Sequence, residues 1–220
     1  MSKFTLIIGN KNYSSWSLRP WLVMKHTGIA FDEIRIPLYQ PGSDQQIEKY
    51  SPSGRVPALK YGDVTVWDSL AICEYLNELY PEKRLWPEDQ TTRAQARAIS
   101  AEMHSGFSAL RTQMPMNCRE RFPGKGQTPE VDADIARIQE IWQDRRNQHK
   151  NEGAFLFGKF SIADAMYAPV AIRFHCYDVK LDNSCEDYRQ TILDLPAMKE
   201  WMHAGTQEPE RLELFEPYRL

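Results

Sequence analysis

Apolar positions change their period several times within the first 80 residues of the chain. Phe4 to Ile8 is a short, continuous apolar run and reads as a buried strand. Beyond it, Leu18, Trp21, Leu22 and Lys25 recur at helical spacing, and Gly28 stands where a left-handed cap would close that helix. Proline is tolerated only near a helix start, so Pro20 puts the first helical residue at Trp16 or Ser17. "FDEIRIPL" alternates apolar and polar residues as a second strand. A loop with Pro41, Gly42, Pro52 and Gly54 follows, with room for a short helix. "VPALKYGDVTVWDS" reads as two strands about a turn at Gly62-Asp63. "SLAICEYLNELY" is an amphipathic helix stopped by Pro81. The order is β-α-β, a loop, then β-β-α.

Past "PEKRLWPEDQ" the pattern becomes almost wholly helical. A long helix is expected over 89–113, with Ala94, Ala98, Met103 and Leu110 among its apolar positions. "RFPGKGQTP" interrupts, a second long helix runs from about Glu130 to Lys150, "FSIADAMYAPVAIRF" is a strongly apolar third, and "LPAMKEWMHAG" is a short fourth. The fold class is an α/β N-terminal domain followed by an all-α domain. Pro81 and Pro87 bracket the connector, which gives residues 1–80, a linker over 81–89, and residues 90–220.

Composition narrows the classes of function. A formal net charge of −3 offers no whole-chain attraction to nucleic acid or to an anionic membrane. No apolar run reaches the roughly 18 residues of a spanning helix, and "MSKFTLIIGNKN" lacks the features of a signal peptide. A cytoplasmic location is the default expectation. Cys73, Cys118, Cys176 and Cys185 form no C-x-x-C pair, and the five histidines show no metal-binding spacing, so no metal is expected.

Three stretches hold candidate chemistry. In "NYSSWSLRPWL", Ser14, Ser15 and Trp16 lie between a strand's carboxyl end and a helix's first turn, where ligands bind in α/β sheets. Free N–H groups and the positive helix end favour an anion there. A serine hydroxyl donating to a thiolate would lower the thiol's pKa without acting as a nucleophile. Plain helix capping is the competing reading. Val56-Pro57 opens a strand; a trans proline starting an edge strand is the expected reading, and a cis bond, the alternative, would present Val56's backbone to an extended ligand. Asp68 and Ser69 precede a helix and suit either capping or an α-amino-acid ligand, Ser69 facing its carboxylate and Asp68 its ammonium. Ser161-x-x-Asp164 is a capping-box pattern and is read as a folding device.

Taken in order, Ser14-Ser15-Trp16-Ser17-Leu18-Arg19, Gly54-Arg55-Val56-Pro57-Ala58-Leu59, Asp68-Ser69-Leu70-Ala71-Ile72 and Ser161-Ile162-Ala163-Asp164 resemble the cytosolic glutathione S-transferases. The resemblance covers nearly the whole chain. It implies a thioredoxin-like, glutathione-binding domain over residues 1–80, a helical domain contributing the electrophile site, and a homodimer. The chain is most similar to the serine-type classes, zeta in particular, whose motif is Ser-Ser-Cys-Ser-x-Arg; Trp16 replaces that cysteine.

Carried over, Ser14 is the thiol activator and Ser15 the N-cap or a secondary donor. Val56, before a cis Pro57, pairs with the cysteinyl part of glutathione. Asp68 and Ser69 hold its γ-glutamyl end, and Arg55 stands where the family often has lysine or glutamine. Trp16 can form neither a thiolate nor a mixed disulfide, which argues against the zeta isomerase reaction. The implied function is a glutathione transferase using glutathione as co-substrate on an electrophilic, partly apolar small molecule, as in detoxification. The alternatives are a zeta-type isomerase and a catalytically idle binding module on the same fold. Trp16, Met114, Met116 and Asn117 are the expected electrophile site, with Arg111, Arg119 and Arg121 either attracting an acidic substrate or forming a solvated face.

Overall fold

A computed structural model describes residues 3–219. Strand β1, Phe4–Ile8, is apolar on both faces because it lies inside a four-stranded sheet of order β2-β1-β3-β4. Its side chains alternate between two cores. Phe4, Leu6 and Ile8 pack into the large core shared with the helices, and Ile7 packs on the other face against Ile36, Ile47 and Ala58. Strand β2, Phe31–Arg35, runs parallel to β1, while β3, Ala58–Tyr61, is antiparallel to it, with Leu6 opposite Leu59. Strand β4, Val64–Trp67, completes a hairpin whose turn uses Gly62 at φ 58°.

Helix α1, Ser15–Thr27, crosses from β1 to β2 and starts one residue ahead of the earlier of the two expected positions. Its cap is Ser14, not Ser15, and Gly28 closes it at φ 72°. The loop after β2 does contain a short helix, α2, Ser43–Glu48, and α3, Ser69–Leu79, follows the hairpin. These elements form the thioredoxin-like part of the molecule.

The expected helix over 89–113 is two helices, α4, Gln90–Ser105, and α5, Ser108–Gln113. The break falls at Phe107, which takes φ 55°, and the Asp134 carboxylate accepts from the Leu110 N–H at 2.9 Å in the new first turn. Met103 and Leu110 are buried as expected, but Ala94 and Ala98 face solvent; Ala96 and Ser100 occupy the inner face instead. Helix α6 is Pro129–His149 and α7 is Ile162–Tyr177. The polar run unassigned from the pattern folds as α8, Asn183–Asp194, burying Cys185, Tyr188, Ile192 and Leu193 at helical spacing. Helix α9, Pro196–Thr206, is the short last one.

Helix α7 is the axle of the structure. It is mostly apolar and buried around its circumference, with α1, α4 and α8 packed on it. Its Ser161–Asp164 turn has the expected folding role: the Asp164 carboxylate accepts from Ser161 N, Leu156 N and the Tyr188 hydroxyl at 2.8–3.0 Å. The contact of α1 with α7 joins the sheet part to the helical part and places the serine turn at their junction.

Candidate functional site

Two adjoining cavities open at that junction. The larger, about 650 Å³, runs between the serine turn, α5 and the C-terminal segment. The smaller, about 370 Å³, runs along the Val56-Pro57 loop to the start of α3. Trp16, Arg55, Val56 and Arg111 line both, so they form the common wall. Both volumes suit small-molecule ligands.

Ser14 and Ser15 line the larger cavity. Ser14 Oγ donates to Ser17 Oγ at 2.7 Å, and Ser17 Oγ also accepts from the Gly9 N–H at 3.1 Å. That chain ties the end of β1 to the start of α1. Ser15 Oγ accepts from Arg173 Nη2 at 3.3 Å, so its own proton is left to point elsewhere.

In the smaller cavity, Val56-Pro57 is a cis bond. Pro57 is buried and Val56 is half-buried at the cavity edge, while Arg55 is exposed. Ser69 is 1% exposed, and its hydroxyl has no hydrogen-bond partner among the described residues. A buried orphan hydroxyl costs about 1–3 kcal/mol unless something supplies its missing bond, and Ser69 is the first residue of α3. Asp68 adopts φ 75°, in the left-handed region that non-glycine residues occupy at a cost of about 1–3 kcal/mol. Its Oδ1 accepts from Leu70 N and Ala71 N at 2.9 and 3.2 Å, and its Oδ2 lies 3.0 Å from His104 Nε2. Capping therefore occupies one carboxylate oxygen, and a histidine that the sequence reading had passed over faces the other.

The expected electrophile residues divide. Trp16 and Met116 line the larger cavity. Met114 and Asn117 do not: they are buried behind the wall, the Met114 carbonyl accepting from Arg173 Nε at 2.9 Å and Asn117 Oδ1 from Arg119 N and Glu120 N at 2.9 and 2.8 Å. Their position after the proline break puts their side chains inward, so the correction is one of facing, not of neighbourhood. The remaining cavity wall comes from residues sequence reasoning missed. Phe215 lies 5.4 Å from Tyr13 and 5.8 Å from Tyr39, making an aromatic side. The Tyr13 hydroxyl donates to Glu216 Oε1 at 2.7 Å, which anchors the C-terminal segment over the site.

Arginines surround Trp16. Arg19 and Arg111 place their guanidinium carbons 4.2 and 5.2 Å from its ring centre. Burial, followed by repulsion from Arg173 and Arg111, brings the Arg19 pKa down to about 9. Burial likewise brings Arg173 down to about 10, with Arg111 adding to the effect. Arg119, by contrast, belongs to the C-terminal anchor, 3.9 Å from Glu216 Oε1, and Arg121 lies against His175.

A thioredoxin-like sheet joined to a helical bundle, with both cavities at their junction, is the architecture the comparisons with known proteins recover. The chain belongs to the glutathione S-transferase family: residues 13–79 match its N-terminal domain and residues 93–204 its C-terminal domain. It is 40% identical over 99 residues to the maleylacetoacetate isomerase of Rattus norvegicus, a match covering 44% of this chain and 45% of that protein. Against the glutathione S-transferase omega-1 of the same organism it is 26% identical over 200 residues, covering 90% and 75%. The match thus spans under half the length of the maleylacetoacetate isomerases. A glutathione transferase homologue from Burkholderia, solved with bound glutathione, shares the fold with a TM-score of 0.71, 23% identity, and coverage of 94% of this chain and 100% of that one. Among the described residues, no helix is long and apolar enough to cross a membrane.

Proposed function

We propose that the protein is a glutathione transferase in which glutathione lies along the smaller cavity and its thiol reaches the serine turn. The observation that carries this is the shared wall: Trp16 and Val56 bound both cavities, so a ligand anchored at Ser69 extends past Val56 to Ser14 and Ser15. Ser69, through its hydroxyl and its own N–H, receives the γ-glutamyl carboxylate, and Asp68 receives the ammonium. Val56 pairs with the cysteinyl backbone. The thiol loses its proton to solvent, and its anion accepts from Ser14, whose hydroxyl turns from Ser17. Trading a neutral bond for one to an anion favours that turn. Ser15, held by Arg173, is the second donor, and the α1 N-terminus adds positive potential. The thiolate then attacks an electrophilic carbon of a substrate in the larger cavity. A homodimer in the cytoplasm is part of this reading.

The isomerase relatives offer a second reading, glutathione-dependent isomerisation; Trp16 fills the position of the motif's cysteine with a bulkier, unreactive wall. The deciding experiment titrates the protein with reduced glutathione by calorimetry while following thiolate absorbance, for wild type and Ser14→Ala. Thiolate formation that the variant loses supports the transferase; no binding at millimolar glutathione defeats both enzyme readings. Turnover of maleylacetoacetate without conjugation of any electrophile would favour the isomerase.

A further inference from the structure

Cationic groups gather where the larger cavity meets α5 and α7. Arg173 is 4% exposed and still lines that cavity. Its guanidinium donates to the Met114 and Pro169 carbonyls and to Ser15 Oγ, all neutral acceptors, at 2.9, 3.4 and 3.3 Å. A guanidinium has five N–H groups, so two remain. Arg111 donates to the His104 carbonyl at 3.2 Å and lines both cavities. Behind Trp16, Arg19 donates to the Met166 carbonyl at 3.1 Å, and its Nη1 is buried without a partner.

None of these three forms an ion pair with a carboxylate among the described residues, unlike Arg35, Arg119, Arg137 and Arg211, which all do. Asp134 and Asp68 act on Arg111 and Arg19 only through space, and both are engaged elsewhere, with Leu110 N and with α3 and His104. The one carboxylate lining the cavity, Asp44, is exposed. Burying like charges together without an anion is costly: beyond burial itself, Arg173 and Arg111 lower the proton affinity of Arg19, and Arg111 that of Arg173. An anionic ligand would relieve that cost. The same cavity has the aromatic side made by Tyr13, Tyr39 and Phe215.

We propose that the larger cavity takes an aromatic electrophile bearing a carboxylate, its acid group held by Arg111 and Arg173 and its ring set against Tyr13 and Phe215. This rests on the transferase reading and names the substrate class of that site. In the reaction with a chloroarene, the glutathione sulfur forms a bond to the ring carbon, the C–Cl bond breaks, chloride leaves with the electron pair, and the thiol proton passes to solvent.

The test compares 4-chloro-3,5-dinitrobenzoate with its methyl ester, each rate divided by the uncatalysed rate with glutathione. Alongside, calorimetry compares binding of unreactive 3,5-dinitrobenzoate with 1,3-dinitrobenzene, which needs no turnover. The expected result is an acid-over-ester preference in kcat/KM of about tenfold or more, a matching preference in binding, and narrowing of both in Arg111→Gln. Arg111 is half-exposed, so this variant tests the site without removing the buried Arg173. Conjugation of ester and acid with equal kcat/KM overturns the anion site and leaves the transferase standing. Conjugation of neither, with the acid still bound preferentially, overturns the transferase and leaves the site supported. An Arg111→Gln variant that raises the KM for glutathione and leaves the acid-to-ester ratio unmoved assigns that arginine to glutathione and overturns its proposed role.

Discussion

Serines stand at the starts of several helices of this protein, and those at α7 and α1 do opposite things. At α7, Ser161 and Asp164 lie fully inside the fold, and every donor around the carboxylate is paired. At α1, Ser14 and Ser15 use the same residue type at the same kind of helix start, yet both border a cavity and lie beside arginines with no carboxylate to meet. A third start, at α3, leaves Ser69 buried and unpaired. Saturated polar groups hold a fold together, whereas an unsaturated one beside a cavity is where a ligand can supply the missing bond.

The contrast breaks most visibly at α7. Asp164→Ala removes the acceptor for Leu156 N, Ser161 N and the Tyr188 hydroxyl, and should cost about 3–5 kcal/mol of stability, read by denaturant unfolding. A loss below about 1 kcal/mol would put Asp164 in the class of ordinary caps. Ser14→Ala should do the reverse, lowering turnover by about a hundredfold, on the scale of one anion-stabilising donor, while moving unfolding little. If Ser15→Ala gives the larger loss, the donor role moves one residue along. Ser69→Ala should raise the KM for glutathione about tenfold with kcat less affected; steady-state kinetics with varied glutathione decide it, and an unchanged KM removes the γ-glutamyl assignment.

The smallest effect is one of pH. Burial raises the Asp164 pKa to about 6, the paired donors opposing that shift only in part. The folded state therefore binds a proton more tightly than the unfolded chain, whose aspartate titrates near 4. Stability from this group is fully present below about pH 4 and falls as pH rises to about 6. Wild type should show that decline relative to Asp164→Asn across the window, and parallel curves would discard it.

Much of this was legible along the chain. The strand run Phe4–Ile8, the Gly28 cap, the Gly62 turn and the largely apolar α7 each express a local rule of period or backbone freedom. The serines at 14, 15 and 69 stood out because helix starts have a short-range grammar. Helix α8 escaped because its inward residues are diluted in a polar run, and the break at Phe107 because Asp134, 24 residues from Leu110, makes it tolerable.

The sequence by itself determined which segments become strands and helices and which turns offer hydroxyls to a ligand, since those depend on neighbours within a few residues. Only the tertiary structure decided that Arg173, 158 residues beyond Ser15, reaches its hydroxyl, that Met114 and Asn117 turn away from the cavity, and that Phe215 closes it. Facing and pairing arise when distant segments exclude water together, and no spacing along one segment records which partner will be there.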